Sequence, residues 1–110
     1  MREEARIREL LSTPDSGRTL KWAYELNSAT MMALHVVVIS APDRDYVSRE
    51  LVPLFDEARQ AVEDMEESED VRYQALVANN MRFRIRHLER YAASNPFETF
   101  HRLAVQGAGE

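Results

Sequence analysis

Cysteine is absent from this chain of 110 residues. Disulfides are therefore excluded, as is any thiolate nucleophile or thiolate metal ligand, and nothing calls for an oxidising compartment. Glycine is nearly absent: of three residues, two (Gly107 and Gly109) fall in the last five positions. A glycine-rich phosphate loop cannot be assembled from that supply. Long apolar runs are missing too. The longest, Met31 to Ile39, is interrupted by His35 and falls far short of the roughly 20 residues that span a bilayer. The first ten residues, MREEARIREL, mix acids with arginines and lack the apolar centre of a secretory leader. A cytoplasmic protein without a membrane partner is the expectation. No internal repeat or low-complexity segment is present.

What the chain does contain is a helix-forming composition. At 45% hydrophobic it carries enough apolar surface for one modest core and is too short for two. A single helical domain over 1–105 with a flexible tail at 106–110 is expected.

The clearest pattern lies between Val71 and Ala92. At about 100° per residue, Val71, Ala75, Ala78, Met81, Ile85, Leu88 and Ala92 fall on one stripe, with Val77 beside it. Steps of three and four are those of a helix lying along another helix. No glycine or proline interrupts the run, and Ser94-Asn95-Pro96 closes it. Its far side is not an ordinary solvated face. Leu76 and Phe83 project there, with Tyr73, His87 and Tyr91 nearby and Arg72, Arg86 and Arg90 along one margin.

Upstream, Arg2 to Ser12 reads as a short first helix with Ala5, Ile7, Leu10 and Leu11 as its apolar edge. Thr13-Pro14-Asp15-Ser16-Gly17 breaks the chain, and Thr13 or Ser16 is a candidate cap for the second helix. The segment 18–39 is apolar all round, which predicts a buried helix. Its stretch 31–39 is rich in β-branched residues and carries a strand alternative. Helix is favoured because no second strand candidate exists to satisfy a lone strand's hydrogen bonds. His35 is read as a neutral core histidine. Ser40 is a candidate cap with Asp43 as its box partner. The next helix carries Val47, Leu51, Leu54, Phe55, Ala58, Ala61, Val62 and Met65 on one face and acids on the other, with a kink or break expected at Pro53.

Together these readings predict an all-α bundle of four or five helices, built on a long antiparallel hairpin of 41–67 and 71–93. A further short helix, opened by Asn95-Pro96-Phe97-Glu98, is expected to reach about Val105. Between Asp43 and Asp70 there are three arginines and eleven acids; between Val71 and Leu103 there are six arginines and two acids. The hairpin brings these blocks together, and counting from the turn pairs Asp56 with Arg82 and Glu50 with Arg86.

Motifs that carry chemistry are few. Glu98 and His101 have the Glu-x-x-His spacing of carboxylate-bridged metal sites, but those sites need two such pairs and further inward carboxylates. No metal, cofactor or catalytic set is expected, and an enzyme is the less favoured class. The expected function is that of a small, non-enzymatic protein–protein interaction module that self-associates or grips another protein. The residues expected to carry it are Tyr73, Leu76, Phe83, Arg86, His87, Arg90 and Tyr91, since aromatics with arginine are the types enriched at interfaces. The alternative is a nucleic-acid-binding regulator that uses the stripe Arg72, Arg82, Arg86 and Arg90. The chain's net charge of −5 weighs against that alternative.

Overall fold

The computed structural model describes residues 1–66 and 69–94, and among these every regular element is helical. Helix α1 spans Arg2–Leu11, α2 Leu20–Ser40, α3 Arg44–Tyr46, α4 Val52–Glu63 and α5 Val71–Ala93. A single 3-10 turn, Asp15–Gly17, lies between α1 and α2. The expected last helix, its Glu98–His101 pair and the tail fall outside the described residues.

Trp22 fixes the first corner. Its indole nitrogen donates to the Leu10 carbonyl at 2.7 Å in a buried bond, which satisfies one of the acceptors a helix leaves free at its C-terminal end. Arg18 stacks 5.1 Å from the Trp22 ring and donates to the carbonyls of Thr13 and Leu11. The α2 cap is Thr19, whose side chain accepts from the Trp22 amide, rather than Thr13 or Ser16. Those two lie too early to reach the first amides of α2.

The 31–39 stretch is helix, not strand, and α2 continues through Ser40. Ser40 is therefore not a cap; Asp43 takes that role and accepts from the Asp45 amide at 3.1 Å. Ala41 makes the turn between α2 and α3 with φ 46° and ψ 60°, the left-handed region that a residue with a Cβ enters at a cost.

From Arg44 to Glu63 the chain is one helical rod, but Val47–Leu51 is wound as a π-helix. The helix is therefore not broken at Pro53, and a π-helical turn precedes the proline. Proline has no amide to give the carbonyl four residues back, and its ring would strike that carbonyl in a regular turn. Widening the preceding turn is a known way to absorb such a mismatch without ending the helix. The rod stops at Glu63, earlier than the 67 expected. There Gln74 on α5 donates to the carbonyls of Val62 and Met65 and so closes the hairpin.

Helix α5 matches the predicted span. Asp70 caps it by accepting from the Tyr73 amide at 3.0 Å. It packs antiparallel to α4 and alongside α2, while α1 lies on α2 and touches α4. The core is formed by Ile7, Leu26, Val37, Leu51, Phe55 and Met81 with their neighbours. On α5 itself Val77, Ala78, Met81 and Leu88 are buried, as the stripe predicts. Val71 and Ala75, at the hairpin end, are exposed.

The ion pairs differ from those obtained by counting. Arg82 pairs with Glu63, Glu50 with Arg8, and Asp56 with Arg59. Side chains on a helix lean toward its own N-terminus. Arg82 therefore leans toward the turn and meets a carboxylate nearer the turn than its backbone level suggests.

Candidate functional site

Helix α2 is buried on one side only, and this corrects the expectation of a helix enclosed all round. Its inner face seats Trp22, Ala23, Leu26, Ala29, Thr30, Ala33 and Val37 in the core. On its other side, Tyr24, Met31, Met32, Val38 and Ile39 are open to solvent, Ile39 to 75%. His35 lies among them and is exposed, so it is not a core histidine. The short helix α1 explains part of this, because it is antiparallel to α2 and ends at Arg2. The groove it shares with α2, about 320 Å³, reaches from Tyr24 only as far as Met32. Beyond that point nothing among the described residues covers the flank that bears Ile39.

Beyond Glu25 the open side of α2 is also uncharged. Between Glu25 and Asp43 there is no Asp, Glu, Lys or Arg. A helix face that stays in water is ordinarily polar or charged; this one offers tyrosine, methionine, valine and isoleucine instead. Tyr24, Ser28, Met31, His35 and Val38 succeed one another in steps of four, three, four and three, the spacing of a helix–helix seam.

Helix α5 carries a second line of the same phase: Leu76, Asn80, Phe83, His87 and Arg90. Leu76 and Phe83 are 54% and 68% exposed, which agrees with the projection expected from the sequence. Arg86 lies 5.8 Å from the Phe83 ring, a distance at which its charge is attracted to the ring face. His87 and Arg90 are exposed.

Tyr73 and Tyr91 do not belong to this open line. Both are turned toward the neighbouring helices and half-buried. Tyr91 donates its hydroxyl hydrogen bond to the Pro42 carbonyl, fixing the far end of α5 to the α2–α3 turn. The Tyr73 hydroxyl is buried and has no hydrogen-bond partner among the described residues. Burial first, and the Tyr24 hydroxyl second, push its pKa above the ordinary tyrosine value. Sequence periodicity puts both tyrosines near the open side because they sit about 60° from its centre, an angle at which a neighbouring helix decides whether a ring is covered.

The two lines share one outer side of the molecule, because α2 and α5 run parallel. Tyr24 neighbours Tyr73, Arg84 reaches Asn27 and Thr30, and Tyr91 reaches Pro42, so residue numbers rise together on both helices. Arg84 is the clasp between them. Its Nη1 donates to the Asn27 carbonyl at 2.9 Å, to Asn27 Oδ1 at 2.6 Å and to Thr30 Oγ1 at 3.0 Å. Thr30 is fully buried and donates its own hydroxyl hydrogen to the Asn27 carbonyl. Burial lowers the Arg84 pKa from the usual guanidinium value. Nothing in the sequence marks Arg84 out from its neighbours; only the packing of α2 shows what it holds.

The arginine stripe is not uniform. Arg82 is engaged by Glu63 and Asn79, whereas Arg72, Arg86 and Arg90 project from the outer margin of α5, exposed to solvent. Among the described residues no group of three or more His, Asp or Glu side chains converges as metal donors would. Among them, too, no helix is long and apolar enough to cross a membrane.

Fold and surface together define an all-α helical protein with an apolar, two-helix outer face. Comparison with protein-family models, with curated proteins and with solved structures finds no match.

Proposed function

We propose that this chain is a non-enzymatic helical interaction module that self-associates through the outer face of α2 and α5. One observation carries the reading: side chains of core type, in seam spacing, stand exposed on a helix that has no charged residue from Leu26 to Pro42. Exposed patches of this composition are characteristic of surfaces that meet a partner.

A second copy is the partner that the charge layout favours. In a two-fold interface, residues near the axis meet their own copies or close neighbours of them. A charge placed there would face its like and be penalised. The α2 line avoids that conflict by having none. A partner chosen by opposite charge would instead be expected to meet a charged centre.

Sedimentation or light scattering over a range of concentrations tests this, with Phe83→Asp as the variant. Phe83 is mostly exposed, so the variant should keep the wild-type helical signal and melting profile at low concentration. The wild type is expected to form dimers or larger species and Phe83→Asp to be monomeric. A wild type that stays monomeric at high micromolar concentration overturns the proposal.

The nucleic-acid reading keeps Arg72, Arg86 and Arg90 but loses Arg82 to its ion pair with Glu63. It receives less support from the surface, because the uncharged α2 face offers nothing to a phosphate backbone.

A further inference from the structure

His35 stands at the centre of the open side of α2. It follows the fully buried Leu26 by nine residues, and nine steps of about 100° turn it roughly 180° from the core. Residues three and four positions away along a helix are neighbours on the same face. For His35 these are Met31, Met32, Val38 and Ile39, and all four are exposed. The imidazole is itself exposed, inside a ring of apolar side chains. No Asp, Glu, Lys or Arg follows Glu25 on α2. His35 is therefore the one group on that stretch of α2 whose charge ordinarily changes between about pH 5 and about pH 8.

Among the described residues, the helices round α2 offer an imidazolium at this position no ready counter-charge. Tyr91 on α5 bonds to Pro42, 49 positions earlier, so the α5 residues level with His35 are Arg84, Arg86 and His87. Arg84 is held by Asn27 and Thr30, while Arg86 and His87 are exposed. Glu89, the one acid on α5, points about 160° round the helix from His87. On α1 the groups bordering the groove that ends at Met32 are Arg2, Glu3 and Arg6, two cations against one acid. Past the end of α2, Asp43 caps α3 and Asp45 pairs with Arg49, with Arg44 between them. Helix α4 lies on the buried side of α2, opposite His35, and its Asp56 and Glu63 are engaged by Arg59 and Arg82.

We infer that His35 is a proton switch on the self-association proposed above, a reading on which this inference rests. Neutral, the imidazole belongs to the apolar face that a second copy covers. Protonated, it sets a cation at the middle of that face and keeps the copies apart. The effect is the same however the two copies are turned, because a partner that covers the open side of α2 covers the residue at its centre. Taking a cation out of water without a counter-charge is costly, so the separate chains hold the imidazolium and the assembly holds the neutral ring. Association then releases protons. It is fully expressed above the imidazole range and lost as the pH falls through it.

Sedimentation of the full chain at about pH 7.5 and about pH 5.5 tests this, since both values lie above the carboxylate range and leave the ion pairs of α4 and α5 charged. The wild type is expected to associate at the higher pH and to do so at least about tenfold more weakly at the lower. His35→Leu changes an exposed position, keeps the face apolar and should associate equally at both. His87→Gln, exposed on the α5 line, should keep the wild-type response. A pH response that survives His35→Leu, or that disappears with His87→Gln instead, overturns the assignment to His35. So does a His35→Leu protein that is monomeric at both values. Wild type that associates equally at both values removes the switch and leaves self-association standing. Wild type that is monomeric at both removes the self-association and the switch with it, so the two failures are told apart.

Discussion

Tyr73 shows what a single side chain contributes when its environment is settled by packing. Its ring joins the core margin, yet its hydroxyl is buried with no partner among the described residues. An orphaned polar atom of this kind opposes folding, typically by about 1–3 kcal/mol. Tyr73→Phe should therefore raise stability by about 1 kcal/mol in urea unfolding, and a loss of stability would contradict that burial. The same substitution has a pH signature. Because the folded-state pKa lies above the ordinary value of 10.0, the unfolded chain releases the proton first as the pH rises. Below pH 10 the tyrosine is protonated in both states and this ionisation costs no stability; stability is lost as the pH climbs from there through the folded-state value. Wild type should lose more stability than Tyr73→Phe as the pH is raised from about 9.5 to about 11, and parallel curves would show that the hydroxyl is solvated. Arg84 is the contrasting case. It too is partly buried, but Asn27 and Thr30 supply three neutral acceptors, so its charge is accommodated by dipoles rather than by a carboxylate.

At the scale of an element, the junctions carry the local strain. Ala41 ends α2 in the left-handed region at φ 46°, the one residue with a positive φ among those described. Glycine enters this region without the Cβ clash and is the usual residue there at a helix end. Ala41→Gly is expected to stabilise the protein by roughly 0.5–1 kcal/mol, net of glycine's extra unfolded-state entropy. An unchanged or lower urea midpoint would mean that Pro42 already restricts the unfolded chain enough to cancel the gain. The π-helical Val47–Leu51 makes the complementary point. Pro53 announces a defect, but whether it becomes a kink, a break or a widened turn depends on Val47 and Leu51, which both have to stay in the core.

For the whole molecule, the division of charge is the organising fact. Among the described residues, the acids of α4 meet α5 arginines at Glu63 with Arg82, while Arg72, Arg86 and Arg90 stay on the outer margin. The uncharged face of α2 shares the outer side with them. If this face is covered by a second copy, assembly and folding are linked, and the melting temperature should rise with protein concentration. Met31→Asp places a charge in the centre of the α2 line and should abolish that dependence while leaving the melting temperature at low concentration close to wild type. A melting temperature that is independent of concentration in the wild type would count against self-association.

The helical class, the span of α5 and the inward stripe Ala78, Met81 and Leu88 were all legible in the residue order. Each depends on local rules: side-chain period, closing residues and the absence of helix breakers within a run. Leu76, Phe83, Arg86, His87 and Arg90 were equally legible as an outward line, because direction around a helix is set by residue number. What residue order could not settle is which side of a two-sided apolar helix is covered. The α2 segment is apolar all round, and only the placement and short length of α1, with α5 and α4, left Met31, Val38 and Ile39 outside. Tyr73 and Tyr91 were drawn inward, Arg84 became a clasp, and Arg82 met Glu63 instead of Asp56, all for the same reason. Periodicity gives the direction of a side chain from its own helix axis, whereas burial depends on what the other helices place at the end of that direction.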